Sequence, residues 1–269
     1  MSDKSAEFVG DIPKHYDTGL GPNIFTDYGD RLAATCAALE PQFVLELAAG
    51  TGIVSRRLRN ALPGSTSLEV TDLNGPMLDI ARTKFSPDED VTFSEANAMA
   101  LPYDDAAFDL ITCQFGVMFF PDKPGSYREA ARVLRPGGHY VFNVWGLMSE
   151  NPFSQMAHDV CAGAFPDDPP GFYKVPFHYG DPNDVLSDLK AGGWQDVQHK
   201  TIKLEKQIVD SDAFATALVF GNPLYDEIIS RGGSAVEMAE DMRTALYETF
   251  APEPLTMPLQ ATTYICRKT

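Results

Sequence analysis

Two carboxylates and a turn of small residues hold the most chemical potential in this chain. The apolar run Phe43-Val44-Leu45 ends on Glu46 and continues as Leu47-Ala48-Ala49-Gly50-Thr51-Gly52, a stretch with too little side-chain bulk to obstruct a ligand. Ile53-Val54-Ser55-Arg56-Arg57-Leu58-Arg59 then has helical spacing, which aims the first amides of a helix into the space above the turn. Asp72 closes a second apolar run, Leu68-Glu69-Val70-Thr71, about 20 residues beyond Gly52, a separation at which an acid at a strand end can hold the two hydroxyls of a ribose. Strand, glycine turn, helix, second strand and terminal acid together make a nucleotide-type cradle. Singly, each residue also has a plain reading: Gly50 and Gly52 as turn residues, Asp72 as a helix cap.

The turn separates two classes of ligand. A dinucleotide site uses Gly-x-Gly-x-x-Gly so that the backbone can approach a pyrophosphate, whereas the frame here, Gly50-Thr51-Gly52-Ile53-Val54-Ser55, ends on serine. Glu46 discriminates more strongly, because a carboxylate beside the phosphate position repels a pyrophosphate but can hold the ammonium end of a methionine moiety. With Glu46, Ala48, Gly50 and Gly52 so placed, the chain resembles the class I S-adenosylmethionine-dependent methyltransferases. Ala48 stands where that family most often has glycine, and a small shift of the loop is expected to absorb the extra methyl. Three further segments match in the same order. Ala96-Asn97-Ala98-Met99-Ala100-Leu101-Pro102-Tyr103, after a strand at 90–95, resembles the family's adenine-contacting loop, with Asn97 in place of the usual aspartate. Phe108 to Gln114 resembles the fourth strand, and Glu129 to Gly138 the helix-to-strand turn before the fifth. Together these segments span residues 43–146 and are most similar to the small-molecule branch containing the ubiquinone and menaquinone biosynthesis methyltransferases.

The resemblance implies a Rossmann-like α/β three-layer sandwich around a mostly parallel seven-stranded sheet whose last strand is antiparallel, with helical insertions forming a cap. It implies S-adenosyl-L-methionine as cofactor, with Glu46 at the methionine end, Ala48, Gly50 and Gly52 giving backbone access, and Asp72 on the ribose. Leu73 and Met77 would cover the adenine face, Asn97 and Ala98 read its edge, Gln114 line the methionine side through its backbone, and Tyr16 close over the ligand. For the acceptor, the aromatic and apolar candidates are Phe115, Met118 and Phe119 after strand four, Trp145 after strand five, and His178 with Tyr179; core packing accounts for many of these equally well. His178 is the one histidine considered as a base.

The elements that must position these residues follow from periodicity. Strands are expected at 43–48, 67–72, 90–95, 108–114 and 139–145, and helices at 53–61, 76–84 and 123–134, an alternation that implies a parallel sheet with right-handed crossovers. Residues 1–40 read as a helical lid, 41–146 as the cofactor-binding core, 147–181 as an active-site rim rich in aromatics and proline, and 182–269 as completion of the sheet with a helical insertion at 211–250. The tail from Leu259 to Cys266 alternates as a strand.

Composition narrows the function classes. With 269 residues and 44% hydrophobic content the chain can bury a full core. Lys and Arg number 21 against 38 Asp and Glu, a net charge of −17, and no basic stripe occurs, which argues against a nucleic-acid partner. Cys36, Cys113, Cys161 and Cys266 are too scattered for a redox pair, and no histidine pair has metal-ligand spacing, so no metal is expected. The amino terminus lacks the pattern of a leader and no run is long enough to span a membrane, giving the expectation of a cytoplasmic protein with a small-molecule methyl acceptor. A homodimer is one open option for its assembly. Two other readings share the glycine turn: a nicotinamide-dependent reductase, and a non-catalytic protein that binds S-adenosylmethionine without turnover.

Overall fold

The computed structural model describes residues 7, 8 and 10–269. The opening residues, on which the absence of a leader is read and with which the lid at 1–40 begins, lie outside the described residues.

The chain folds as strands alternating with helices: β1 (Phe43–Glu46), α3 (Ile53–Ala61), β2 (Ser67–Asp72), α4 (Gly75–Arg82), β3 (Val91–Glu95), β4 (Phe108–Gln114), α5 (Lys123–Val133) and β5 (Leu134–Trp145), preceded by α1 (Ile12–His15) and α2 (Thr26–Ala37). Beyond them come α6 (Pro152–Ala164), α7 (Lys174–Phe177), α8 (Pro182–Ala191), β6 (Asp196–Gln207), α9 (Ser211–Phe220), α10 (Leu224–Ser230), α11 (Ala235–Phe250) and β7 (Thr256–Arg267). The seven strands form one sheet in the order β3-β2-β1-β4-β5-β7-β6, with β1 to β5 parallel and β7 antiparallel to both its neighbours. This is the expected Rossmann-like arrangement. Its order reverses at β1 and β4, and ligands of open α/β sheets lie at the carboxyl ends of strands beside such a switch point. Glu46 pairs in register with Val70 and Thr112, so the ends of β1, β2 and β4 that carry Glu46, Asp72 and Gln114 come to one edge.

Apolar residues of the central strands feed two cores. Val44, Leu68, Val70, Leu110 and Val141 pack with Leu32, Val54, Leu58 and Leu78 from α2, α3 and α4, while Leu45, Ile111, Tyr140 and Phe142 belong to the larger core shared with α5 and the carboxyl-terminal helices. Among the parallel strands, two boundaries differ from the periodicity by more than one residue. β1 stops at Glu46 instead of residue 48, because Ala48 takes a left-handed φ of 50° that leaves the strand conformation. β5 begins at Leu134 instead of residue 139, because the Pro-Gly-Gly reversal is taken up as a register shift between Phe108 and Leu110, with Gly137 at φ 82°.

Two segments expected to be separate insertions are joined. Glu227 of α10 accepts the Gly171 amide at 2.6 Å, and the Arg231 guanidinium donates to the Asp168 carbonyl at 2.8 Å, so the aromatic rim and the helices at 211–250 form one cap. The lid is less regular than its spacing suggests. Between α1 and α2 the chain runs as a π-helix from Tyr16 to Phe25, containing Pro22, with the Gly21 carbonyl accepting both the amide and the hydroxyl of Thr26. Such bulged helical geometry concentrates at functional sites. Gly19 lets it pack closely, since a Cβ there would stand 2.3 Å from the Ala217 Cβ of α9.

Candidate functional site

The turn after β1 is built for close approach of a ligand backbone. Gly50 and Gly52 have φ of 57° and 77°, in the left-handed region that favours glycine. A Cβ on Gly52 would stand 2.8 Å from the Ala81 Cβ of α4, so the helix packs where a side chain would be. Ala48 occupies the same region at φ 50°, and its methyl is accommodated by Gly116 across the loop, where a Cβ would meet it at 2.5 Å. A glycine on the segment after β4 thus makes room for the extra methyl.

The carboxylates flank this turn. Asp72 is buried; its Oδ2 accepts the Gly50 amide at 2.8 Å and its Oδ1 the Asn74 amide at 2.8 Å. Burial raises its pKa, opposed chiefly by these hydrogen bonds. Glu46 is 1% exposed, and its Oε2 has no hydrogen-bond partner among the described residues. Burial pushes Glu46 up to about 8; the nearby Ser55 hydroxyl pulls the other way and Asp72 adds to the rise. Ser55 Oγ and Thr112 Oγ1 are also buried and unpaired. Unpaired buried polar atoms are uncommon and costly, and the Glu46 carboxylate oxygen, an acceptor when ionised, marks a place prepared for a hydrogen-bond donor. Glu46, Ala48, Tyr16 and Gln114 line a cleft of about 290 Å³, together with Phe25 and Ile53.

Of the other expected cofactor contacts, Met77 is buried beside the turn, with its Cε 3.5 Å from where a Gly50 Cβ would lie. Leu73 is 61% exposed directly after Asp72, an unprotected apolar surface where an adenine ring is expected. Ala98 is buried, whereas Asn97 is exposed and spends its Oδ1 on the Met99 amide at 2.9 Å, closing its own turn. Gln114 reaches further than expected: its amide donates to the Phe25 carbonyl at 3.0 Å and accepts from Asn143, which in turn accepts from Thr263 at 2.7 Å. This polar chain ties the end of the π-helix to β4, β5 and β7. A second tie escaped sequence reading. Asp17 accepts from the Thr51 hydroxyl at 2.6 Å and pairs with Lys84, clasping the lid to the glycine turn.

Beyond the cleft lies a cavity of about 510 Å³ lined almost wholly by aromatic and aliphatic side chains. Phe115 and Trp145 lie face to face in its wall, 3.9 Å apart and 4° from parallel. Phe115 adopts a φ of 55° while its amide still reaches the Asn143 carbonyl; left-handed geometry in a bulky residue is strained and collects at functional sites. Tyr16 and Phe25 stack at 4.8 Å and line both spaces, forming the partition between them. Burial, reinforced by Asp72 and Asp17, holds the Tyr16 hydroxyl protonated.

Phe115, Phe119 and Trp145 line this cavity, but three acceptor candidates do not. Met118 is packed in the core, because in the tight turn Val117–Phe119 it cannot share a face with Phe119. Tyr179 points toward α5 and α8, donating to Asp188 at 2.8 Å. His178, expected as the candidate base, is exposed with its Nδ1 on the Val175 carbonyl at 2.6 Å and does not line the cavity. The outer wall comes from residues not singled out in sequence, Phe153, Phe172, Tyr173, Phe177, Leu218 and Asn222; only the aromatic richness of the rim signalled it. Among the described residues no group of His, Cys, Asp and Glu could hold a metal, and no helix is long and apolar enough to cross a membrane.

Comparison with known proteins agrees with this geometry. The chain is 40% identical over 118 residues to a demethylmenaquinone methyltransferase of Deinococcus radiodurans, covering 43% of this chain and 48% of that relative. It is 33% identical over 120 residues to the ubiquinone/menaquinone biosynthesis C-methyltransferase UbiE of Hahella chejuensis, covering 44% and 48%. The match thus spans about half the length of these curated relatives. In fold, the chain is similar over its whole length to a crystal structure described as a possible histamine N-methyltransferase from Thermotoga maritima, at 15% identity and a TM-score of 0.57. The YcgJ protein of Bacillus subtilis has a TM-score of 0.55 at 19% identity, covering 88% of this chain and 98% of that one. A sequence profile matches residues 21–161, which contain the acid-glycine turn, Asp72, the adenine-side loop and both strands of the aromatic wall, and on that match the chain belongs to the ubiE/COQ5 methyltransferase family.

Proposed function

We propose that this protein is an S-adenosylmethionine-dependent methyltransferase acting on a compact, apolar, aromatic small molecule at oxygen, nitrogen or carbon. The observation that carries the reading is the unpaired, buried Oε2 of Glu46 beside a turn that admits no further side chain. An ammonium group satisfies that oxygen, and a pyrophosphate does not. The same carboxylate and the antiparallel β7 weigh against a nicotinamide-dependent reductase.

The residues fit such a cofactor. Glu46 receives its amino group, Asp72 its ribose, Leu73 and Met77 its adenine face, and Ala98 with Asn97 the adenine edge, while Ala48, Gly50 and Gly52 give backbone clearance. Gln114 bounds the methionine side, and Tyr16 closes over the ligand as part of the partition. When bound, S-adenosylmethionine would supply a methyl on a sulfonium: the carbon–sulfur bond would break with its electrons passing to sulfur as a lone pair of an oxygen or nitrogen acceptor, or the π pair of an electron-rich ring carbon, bonds to the methyl carbon, and the acceptor's displaced proton would pass to water. The protein's contribution is placement, and orientation of this kind can lower a barrier by roughly 7–11 kcal/mol. No carboxylate, histidine or lysine among the described residues lines the aromatic cavity, so no side chain is assigned as a general base.

The names of the relatives make a quinol-like ring the first acceptor class to try. The aromatic lining of the cavity suits a planar ring. Its outer wall, however, lies beyond residue 161 and outside the family match except for Phe153, so acceptor choice can differ from that of the relatives. The test is thermal melting with S-adenosylhomocysteine, followed by labelled-methyl transfer into a cell extract and mass spectrometry of the product. A raised Tm and one labelled aromatic small molecule are expected; no shift at millimolar ligand contradicts the reading.

A further inference from the structure

The aromatic cavity has one polar end. Tyr173 precedes α7, and Leu218 and Asn222 lie at the end of α9 and the turn after it; all three contribute to the lining. Their hydrogen bonds can be followed atom by atom. The Tyr173 hydroxyl donates to the Leu218 carbonyl at 2.7 Å, and the Asn222 amide nitrogen donates to that same carbonyl at 3.0 Å. The Leu224 backbone amide donates to Asn222 Oδ1 at 3.0 Å, which fixes the orientation of the side-chain amide. Burial keeps the Tyr173 phenol protonated, with Asn222 as the opposing influence. The Tyr173 hydroxyl proton and one Asn222 amide proton are therefore committed to the Leu218 carbonyl, and acceptor lone pairs remain on Tyr173 Oη and Asn222 Oδ1.

From this we infer that Tyr173 and Asn222 form a specificity subsite at the outer end of the acceptor cavity that selects a hydrogen-bond donor, such as a neutral hydroxyl or amine, carried by an otherwise apolar ring. The inference rests on the methyltransferase reading for the identity of the cavity as the acceptor site. A ligand donor completes the knot. An ether presents one lone pair to another, and a carboxylate adds charge to a site with no cation to balance it. Specificity of this form is strong because a mismatched group leaves buried polar atoms unpaired.

The probes are 2-naphthol, 2-methoxynaphthalene and 2-naphthoate, which share one ring and differ in a single group. Their affinities are measured by calorimetry on the full chain saturated with S-adenosylhomocysteine. Wild type is expected to bind 2-naphthol about tenfold more tightly than 2-methoxynaphthalene, the scale of one net hydrogen bond, with 2-naphthoate weakest. In Tyr173→Phe the gap should shrink to about threefold or less by loss of naphthol affinity alone, with S-adenosylhomocysteine affinity unchanged. Equal binding of naphthol and its methyl ether by wild type overturns the subsite whatever the variant does, as does an unchanged gap in a folded Tyr173→Phe protein. Cofactor binding separates the failures: S-adenosylhomocysteine bound without donor preference removes the subsite and leaves the methyltransferase reading, whereas its failure to bind removes that reading.

Discussion

The proposed cofactor edge and the proposed acceptor cavity share the Tyr16–Phe25 partition and are otherwise built on opposite principles. The first is polar, rests on the ends of three adjacent strands and places its carboxylates within a short stretch of chain. The second is aromatic, and its walls come from the lid, the turn after β4, the end of β5, the rim and α9. The sheet fixes the cofactor residues through backbone pairing, whereas the cavity is fixed only by packing between distant segments. A substitution at the first should therefore act on cofactor binding and one at the second on the acceptor alone.

The largest effect expected on this division is at Glu46. Glu46→Gln should weaken S-adenosylmethionine by about 1.5–3 kcal/mol, the scale of a hydrogen bond to a charged group, as read by calorimetry. The same change should raise the melting temperature of the free protein at pH 9, because it removes a buried charge. The sign follows from linkage: with Glu46 raised to about 8 from an ordinary 4.5, the folded protein holds a proton that the unfolded chain has released. Free-protein stability from this group is thus highest below pH 4.5 and falls as pH rises toward about 8. Loss of both effects would erase the distinction between a prepared cation site and an ordinary buried acid.

Next is the turn itself. Gly116→Ala places a methyl 2.5 Å from Ala48 Cβ and 2.7 Å from Cys113 Sγ, at a cost of about 1–3 kcal/mol in stability by denaturant unfolding. Ala48→Gly in the same chain should recover part of that loss, a coupling that a double-mutant cycle isolates. Smallest is Phe119→Ala, a half-buried ring of the cavity wall. It should raise the acceptor KM several-fold, about 1 kcal/mol of lost apolar contact, while leaving cofactor affinity as it was. A matching loss of cofactor affinity would show that the two regions are not separable.

The same contrast explains what could be read from sequence. Glu46, Gly50, Gly52 and Asp72 stand at strand ends, and the period of the strands together with the spacing to Asp72 determines where they meet. The antiparallel β7 followed from the family resemblance and is present. Phe115, Phe119 and Trp145 were legible for the same reason, as each follows a recognisable strand. His178 and Tyr179 were not, because a rim with no periodicity gives no direction to its side chains, and both turn away from the cavity. Tyr173, Leu218 and Asn222 carried no local signal, since their roles arise from a contact between two segments 45 residues apart. The Asp17 clasp and the Ala48–Gly116 complement are likewise invisible until the loops are placed side by side.

The most direct test of the central claim is a calorimetric titration of wild type and Glu46→Gln with S-adenosylhomocysteine at several pH values between 6 and 8. Because the cofactor's ammonium favours ionised Glu46, wild-type affinity should rise with pH, by at most about tenfold per unit for release of one proton, while the variant binds weakly and without that rise. Equal affinity and equal pH dependence in the two proteins would contradict the account.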